Sequence, residues 1–443
     1  MWQRLGVTDS GTVRAIDAVW RIESARLIAG LARIVRDVGL AEDLAQDALV
    51  AALEQWPQSG VPDNPGAWLM ATARHRAIDR LRHREMAERK QYELGRELET
   101  SRRLAEPDLD AAIDDDIGDD LLSLVFTACH PVLSTDARVA LTLRLIGALT
   151  TAEIARAFLV AEATVAQRIV RAKRTLAEAQ VPIEVPSGAD RADRLVSVLE
   201  VVYLIFNEGY AATAGDDWLR PTLCEEALRL GRVLAELAPR EPEVHGLVAL
   251  MEIQASRSRA RTGPSGEPIL LLEQDRARWD HLLIRRGIAA LERAEKLGGA
   301  LGPYALQAAI AACHGRAGTP EETDWRRIVA LYDALAQLAP SPVLELNRAV
   351  AVAMAFGPAA GLELVEELAA EPSLGNYHLL PSVRGDLLAK LGRFGEAGEE
   401  LDRAAALTRN GRERELLLVR ASEARAAVQR DARTTGESEA EPG

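Results

Sequence analysis

Apolar side chains recur every three or four residues along most of this 443-residue chain, the spacing of amphipathic helices rather than of strands. In the first run, residues 12–38, Ile16, Val19, Trp20, Ile22, Leu27, Ile28, Leu31, Ile34 and Val35 make one continuous core face, and Gly39 ends it. A second helix covers 41–56. The proline- and glycine-rich stretch WPQSGVPDNPG then forms a loop. Pro65 opens a third helix with a buried stripe of Trp68, Leu69, Ala73, Ala77, Ile78 and Leu81. From Glu85 to Asp120 the period disappears and like charges accumulate, as in EPDLDAAIDDDIGDD, which predicts a linker.

Residues 121–180 read as a second compact unit. LLSLVFTAC is helical up to Pro131. Ser134 or Thr135 caps the next helix and Gly147 stops it. Thr150 and Glu153 have capping-box spacing. Ile154, Ala155 and Phe158 point inward on one helix, and Val165, Ile169 and Leu176 on the next, with a break at Leu159–Ala161. This is helix-turn-helix spacing. After the proline-bounded hinge VPIEVP, helices are expected at 190–209, 221–238, 242–260, 274–297, 303–316, 323–338, 343–356, 358–370, 377–390, 394–408 and 412–429. Similar endings, AELAP, AQLAP and ELAAEP, suggest degenerate helical-pair repeats with a concave surface. The expected fold is all-α, divided into 1–84, a linker at 85–118, a helix-turn-helix domain at 119–186, repeats at 190–430 and a disordered tail at 431–443.

The net charge of −14 argues against nucleic-acid binding by bulk charge, so any DNA contact must come from local basic faces. The third helix has one, formed by Arg74, His75, Arg76, Arg80, Arg82, His83 and Arg84. Guanidinium groups in a row suit phosphates, and a solvated face is the equal alternative. On the second helix of the helix-turn-helix, Thr164, Gln167 and Arg168 stand where base edges are read, and Arg171, Lys173 and Arg174 where phosphates are met. The three cysteines, Cys129, Cys224 and Cys313, are far apart and read as reduced core thiols. The histidines fall singly, with no metal-ligand spacing, and no phosphate loop or nucleophile motif occurs, so no metal, cofactor, catalytic residue or small-molecule substrate is expected. No apolar run is long enough to span a bilayer and the first residues lack a signal-peptide core, which predicts a cytoplasmic protein.

The stretch AEDLAQDALVAALEQW followed by NPGAWLMATARHRAIDRLRHR resembles region two of the sigma-70 family of bacterial transcription initiation factors. In that family a D-L-x-Q-[DE] helix docks on core RNA polymerase. The matching residues are Asp43, Leu44, Gln46 and Asp47. The resemblance implies contact with the promoter −10 element through Asp63, Asn64, Arg74, His75, Arg76, Arg80, Arg82 and Arg84, with His75 standing where asparagine is usual. Asp63 and Asn64 lie in the loop that would receive an unstacked base, and the other reading of that loop is an ordinary helix–helix turn. The helix-turn-helix unit resembles sigma region four, which reads the −35 element; there the residues would be Thr164, Gln167, Arg168, Arg171, Lys173 and Arg174. The short gap between the units resembles the compact, extracytoplasmic-function type, over about residues 12–185.

The segment FNEGY at 206–210, ahead of tetratricopeptide-like repeats, is similar to the extension of one subgroup of that type. Phe206 and Tyr210 are expected in a core. Asn207 and Glu208 could equally face a partner. The resemblance implies core RNA polymerase and promoter DNA as partners. The short hinge implies contact of the repeats with the sigma-like units. The alternative is a helix-turn-helix regulator with a repeat-type sensor or scaffold domain, which would not need the region-two pair.

Overall fold

The structure, a computed structural model, describes residues 10–93, 117–212, 215, 217–298 and 301–438. Among these residues are eighteen α-helices and no strand. Two compact units are present, one up to Val202 and one from Tyr203.

In the first unit α1 (Ser10–Val35) packs on α2 (Val38–Ser59) and α3 (Pro65–Glu93). Ile16, Leu27, Ile28 and Leu31 are buried as the periodicity predicts, but Ile22 is 67% exposed and lies outside the stripe. The first turn comes before Gly39. Arg36 adopts a left-handed φ of 53°, and the Asp37 side chain accepts from the Leu40 N–H at 2.9 Å, so this aspartate starts α2. Trp56, 1% exposed, meets Trp68 edge-on at 5.3 Å and fixes α3 against α2. Such pairs contribute about 0.5–1.5 kcal/mol beyond burial. Helix α3 runs nine residues past the expected boundary at 84, because REMAERKQYE consists largely of good helix formers. The rest of the acidic linker, 94–116, lies outside the described residues.

Helices α4 (Ile117–Ala128), α5 (Thr135–Leu145), α6 (Thr151–Ala157) and α7 (Glu162–Glu178) follow. They do not stand apart from the first three, since α4 packs on α1 and α7 on α2. The next helix, α8 (Gly188–Tyr210), belongs to both units, whose division falls after Val202 rather than at 186–190. The cause is the end of α4, whose last carbonyls have no partner within their own helix. Arg194 donates to Phe126 O at 3.1 Å and Ser197 Oγ to Cys129 O at 2.6 Å. Arg138 of α5 donates to the Ser197 hydroxyl and, at 3.0 Å, to Glu200.

The second unit continues with α9 (Pro221–Leu237), α10 (Pro242–Ala255), α11 (His281–Leu297), α12 (Pro303–Arg316), α13 (Trp325–Leu338), α14 (Pro342–Phe356), α15 (Pro358–Leu368), α16 (Leu379–Lys390), α17 (Phe394–Leu407) and α18 (Gly411–Ser438). Each packs on the next, and α10 also packs on α12. There Gly246 allows a close approach, because a Cβ would come within 2.7 Å of the Ala305 nitrogen. Helix α11 begins seven residues later than its periodicity suggests, since Asp280 caps it by accepting from Leu282 N and Leu283 N. Asn410, 1% exposed, donates from Nδ2 to Ala212 O and Asp217 O and so joins the two ends of the unit. Helix α18 extends through Ser438, into the stretch expected to be a disordered tail, because RASEARAAVQRDAR favours a helix; residues 439–443 lie outside the described ones.

Candidate nucleic-acid interface

The D-L-x-Q-D motif lies on α2, and its residues divide by helical phase. Asp43 is exposed and Gln46 and Asp47 are half-buried, so these three share an accessible face. Leu44 has no accessible surface and packs in the core beneath that face; a direct polymerase contact by its side chain does not fit this position. Gln46 donates to Glu42 Oε1 at 2.6 Å. Asp47 is tied to α3, where Arg76 donates to its backbone carbonyl and comes within 3.9 Å of its carboxylate.

On α3 the buried stripe of Leu69, Ala73 and Ala77 turns the basic residues outward. His75, Arg80 and Arg82 are exposed, and Arg74 and Arg76 are half-buried. The His75 Nδ1 is 2.8 Å from Ala71 O, one turn back, which leaves the other ring nitrogen facing out. The side chain of Arg84 lies outside the described residues. Asn64 caps α3, its Oδ1 accepting from Ala67 N at 3.0 Å while Asp63 is exposed beside it. The turn reading therefore accounts for the Asn64 oxygen and leaves its amide nitrogen and Asp63 toward solvent.

The helix-turn-helix takes the predicted form. Thr150 and Glu153 make a reciprocal capping box at the start of α6. The break comes at Leu159, with φ 50°, and α7 buries Val165, Ile169, Ala172 and Leu176. Thr164, Gln167, Arg171 and Arg174 are exposed. Arg168 pairs with Asp136 of α5 at 2.8 Å, and Arg174 with Glu178 one turn on at 3.3 Å. Lys173 is ion-paired with Glu42 of α2.

Glu42 is the residue that sequence reasoning missed. It is 3% exposed and also receives Arg144 Nε of α5 at 2.6 Å. Burial alone would raise its pKa, but the charges and hydrogen bonds of Lys173 and Arg144 outweigh burial and hold the carboxyl below its ordinary 4.5. The signal was present in the pattern. Glu42 is in helical phase with Ala45, Ala52 and Trp56, all buried, and a charge at such a position needs partners.

Among the described residues no histidine, cysteine and carboxylate cluster could hold a metal, and no helix is long and apolar enough to cross a membrane. The first unit thus presents an exposed acidic residue on α2, an outward row of basic residues on α3, and a helix-turn-helix whose second helix, α7, packs on α2. Residues 22–86 match Sigma-70 region 2, residues 123–176 match Sigma-70, region 4, and residues 194–295 match a family of unknown function (DUF6596). An uncharacterized protein of Rhizobium meliloti (strain 1021) is 43% identical over 409 residues, 92% of this chain and 94% of its own length. With region 2 and region 4 in this order on one chain, the protein is a member of the sigma-70 family, a DNA-binding and RNA polymerase-binding factor for promoter recognition and transcription initiation.

Proposed function

We propose that the protein is a sigma factor of the extracytoplasmic-function type whose second unit is a tetratricopeptide-like extension that modulates it. The observation that carries this reading is the pairing of a region-two helix set, α1 to α3, with a capped helix-turn-helix, α6 and α7, across a gap of 57 residues between Glu93 and Thr151. In this reading Asp43, Gln46 and Asp47 dock on core polymerase. Arg74, His75, Arg76, Arg80 and Arg82 face the −10 element, with Asp63 and the Asn64 amide beside the flipped base. Thr164, Gln167 and Arg168 read the −35 element, and Arg171, Lys173 and Arg174 hold its phosphates. The polymerase does the chemistry, and this chain supplies placement and capture of the melted strand.

The consecutive packing of α9 to α18 supports the repeat reading of the extension. Its FNEGY segment lies at the end of α8. Run-off transcription with core polymerase and genomic promoter DNA tests the whole reading, and discrete products starting downstream of a shared −35/−10 pair are expected. A chain stopped after Ala212 keeps every α8 residue that caps α4 and should give less product at equal folded concentration. More product would make the extension inhibitory.

A further inference from the structure

The second unit holds a partly open cavity of about 220 Å³ between the second half of α8 and helices α10, α12, α13 and α14. Its polar lining includes four carboxamides, Asn207, Gln254, Gln307 and Asn347, and the hydroxyls of Tyr203 and Tyr332. Leu250, Ile310 and Leu335 supply apolar walls, and no residue lining it carries a formal charge.

Part of this polar set is satisfied internally. Tyr203 donates to Gln307 Oε1 at 3.2 Å, Gln307 Nε2 to Pro303 O at 3.2 Å, and Tyr210 to Gln254 Oε1 at 3.1 Å. Among the described residues, the Asn347 side chain and the Tyr332 hydroxyl have no hydrogen-bond partner. Burial pushes the Tyr332 hydroxyl up to about 12, so it remains a donor. Both groups face the cavity, where water or a ligand can meet them.

We propose that this cavity binds a small uncharged ligand with adjacent hydroxyl groups, of the monosaccharide class. Three properties of the lining carry the proposal. First, the volume is about seven times the ~30 Å³ that a water molecule occupies in the liquid, which admits a small molecule and not a folded partner. Second, the lining residues carry no charge, and Arg257, the cation behind Tyr210 and Gln254, already donates to both, so a charged ligand would lose its hydration without a counter-charge in the cavity. Third, Asn347 offers a donor and an acceptor side by side, which matches neighbouring hydroxyls, and the Gln254 nitrogen adds a donor beside it. The tyrosine rings and aliphatic walls meet the C–H faces of such a ring. A ligand there would touch Asn207 and Tyr210 and so fix the FNEGY segment of α8. The site stands on the second unit alone and does not rest on the promoter reading.

The test is saturation-transfer NMR and calorimetry on the full chain, with D-glucose, D-ribose and N-acetyl-D-glucosamine as neutral probes and D-glucuronate and glucose 6-phosphate as charged ones. At least one neutral sugar should bind saturably, and the charged probes at least tenfold more weakly. Asn347→Ala and Tyr332→Phe should each weaken binding several-fold with unchanged circular dichroism and melting. No saturable binding by any neutral sugar, charged probes binding as well, or both variants binding like the parent would each overturn the proposal. Run-off transcription without sugar is scored separately, so failure of the promoter reading remains distinguishable.

Discussion

Lys173 on α7 and Glu42 on α2 form an ion pair, so the residue proposed for DNA phosphate is held by the helix proposed for polymerase. The elements that α3 and α7 would read are centred about 25 base pairs apart, or ~85 Å at 3.4 Å per pair. With α2 and α7 in direct contact, the proposed promoter reading requires this tie to open before both elements are engaged. Arg168, by contrast, is tied to Asp136, whose side chain is 66% exposed. Such a surface pair is worth about 0–1 kcal/mol and exchanges readily for a base edge.

Glu42→Ala should loosen the first unit and lower its stability by about 3 kcal/mol, because Arg144 and Lys173 lose the carboxylate that offsets their burial. The same variant should expand in small-angle scattering and bind core polymerase more tightly. A radius of gyration and affinity equal to the parent's would show that the tie does not restrain the two regions. The pH dependence has a definite sign. The folded carboxyl lies below 4.5, so its stabilisation is present above that value and is lost as pH falls toward the folded pKa.

Asp43→Lys places a positive charge on the exposed docking face without touching the core, as Asp43 is exposed and Leu44 beneath it is buried. It should weaken assembly with core polymerase at least tenfold by charge reversal. Asp47→Lys is a less clean variant because it also frees Arg76. Fluorescence titration of polymerase checks both, and an unchanged affinity for Asp43→Lys removes that face from the docking site.

Gln167→Ala or Arg168→Ala should relax discrimination at the upstream element by about 1–3 kcal/mol, the range for a paired base hydrogen bond. Arg171→Ala should weaken all promoters alike and lower the salt slope of binding. Competition binding with single-base promoter variants separates the two classes. Intact upstream preference after Arg168→Ala would mean that α7 presents a different register to DNA.

His314 gives the second unit an acid limit. Burial first, then the neighbouring charges of Arg257 and Arg276, pushes its pKa down from 6.5 to about 4. A histidine kept neutral by the fold destabilises it once the unfolded chain takes up a proton, so stability is full above 6.5 and falls as pH drops toward 4. By pH 5 the loss should be about 2 kcal/mol, seen as faster amide exchange in α12 and α13. His314→Phe should flatten that dependence, and an equal slope in the variant would refute it.

Much of this was legible in the chain. The stripe of Leu69, Ala73 and Ala77 sets which α3 residues face outward, and the spacing of Thr150 and Glu153 marks the start of α6. Periodicity failed where a cap overrode it, as at Asp37 and Asp280. It failed again where helix-forming residues continued through a charge-rich stretch, as in α3 and α18. Long-range pairs such as Glu42 with Lys173, or Ser197 with Cys129 O, join residues 68 or more positions apart that no local pattern connects.

The three cysteines are buried and unpaired with one another. Burial pushes the Cys129 thiol up to about 11 and the Cys224 thiol up to about 12, and raises Cys313 as well. Oxidants attack the thiolate, and at neutral pH these side chains present almost none. The cysteine thiols of the folded protein are therefore poor targets for peroxide and disulfides, and these three positions do not make a thiol switch.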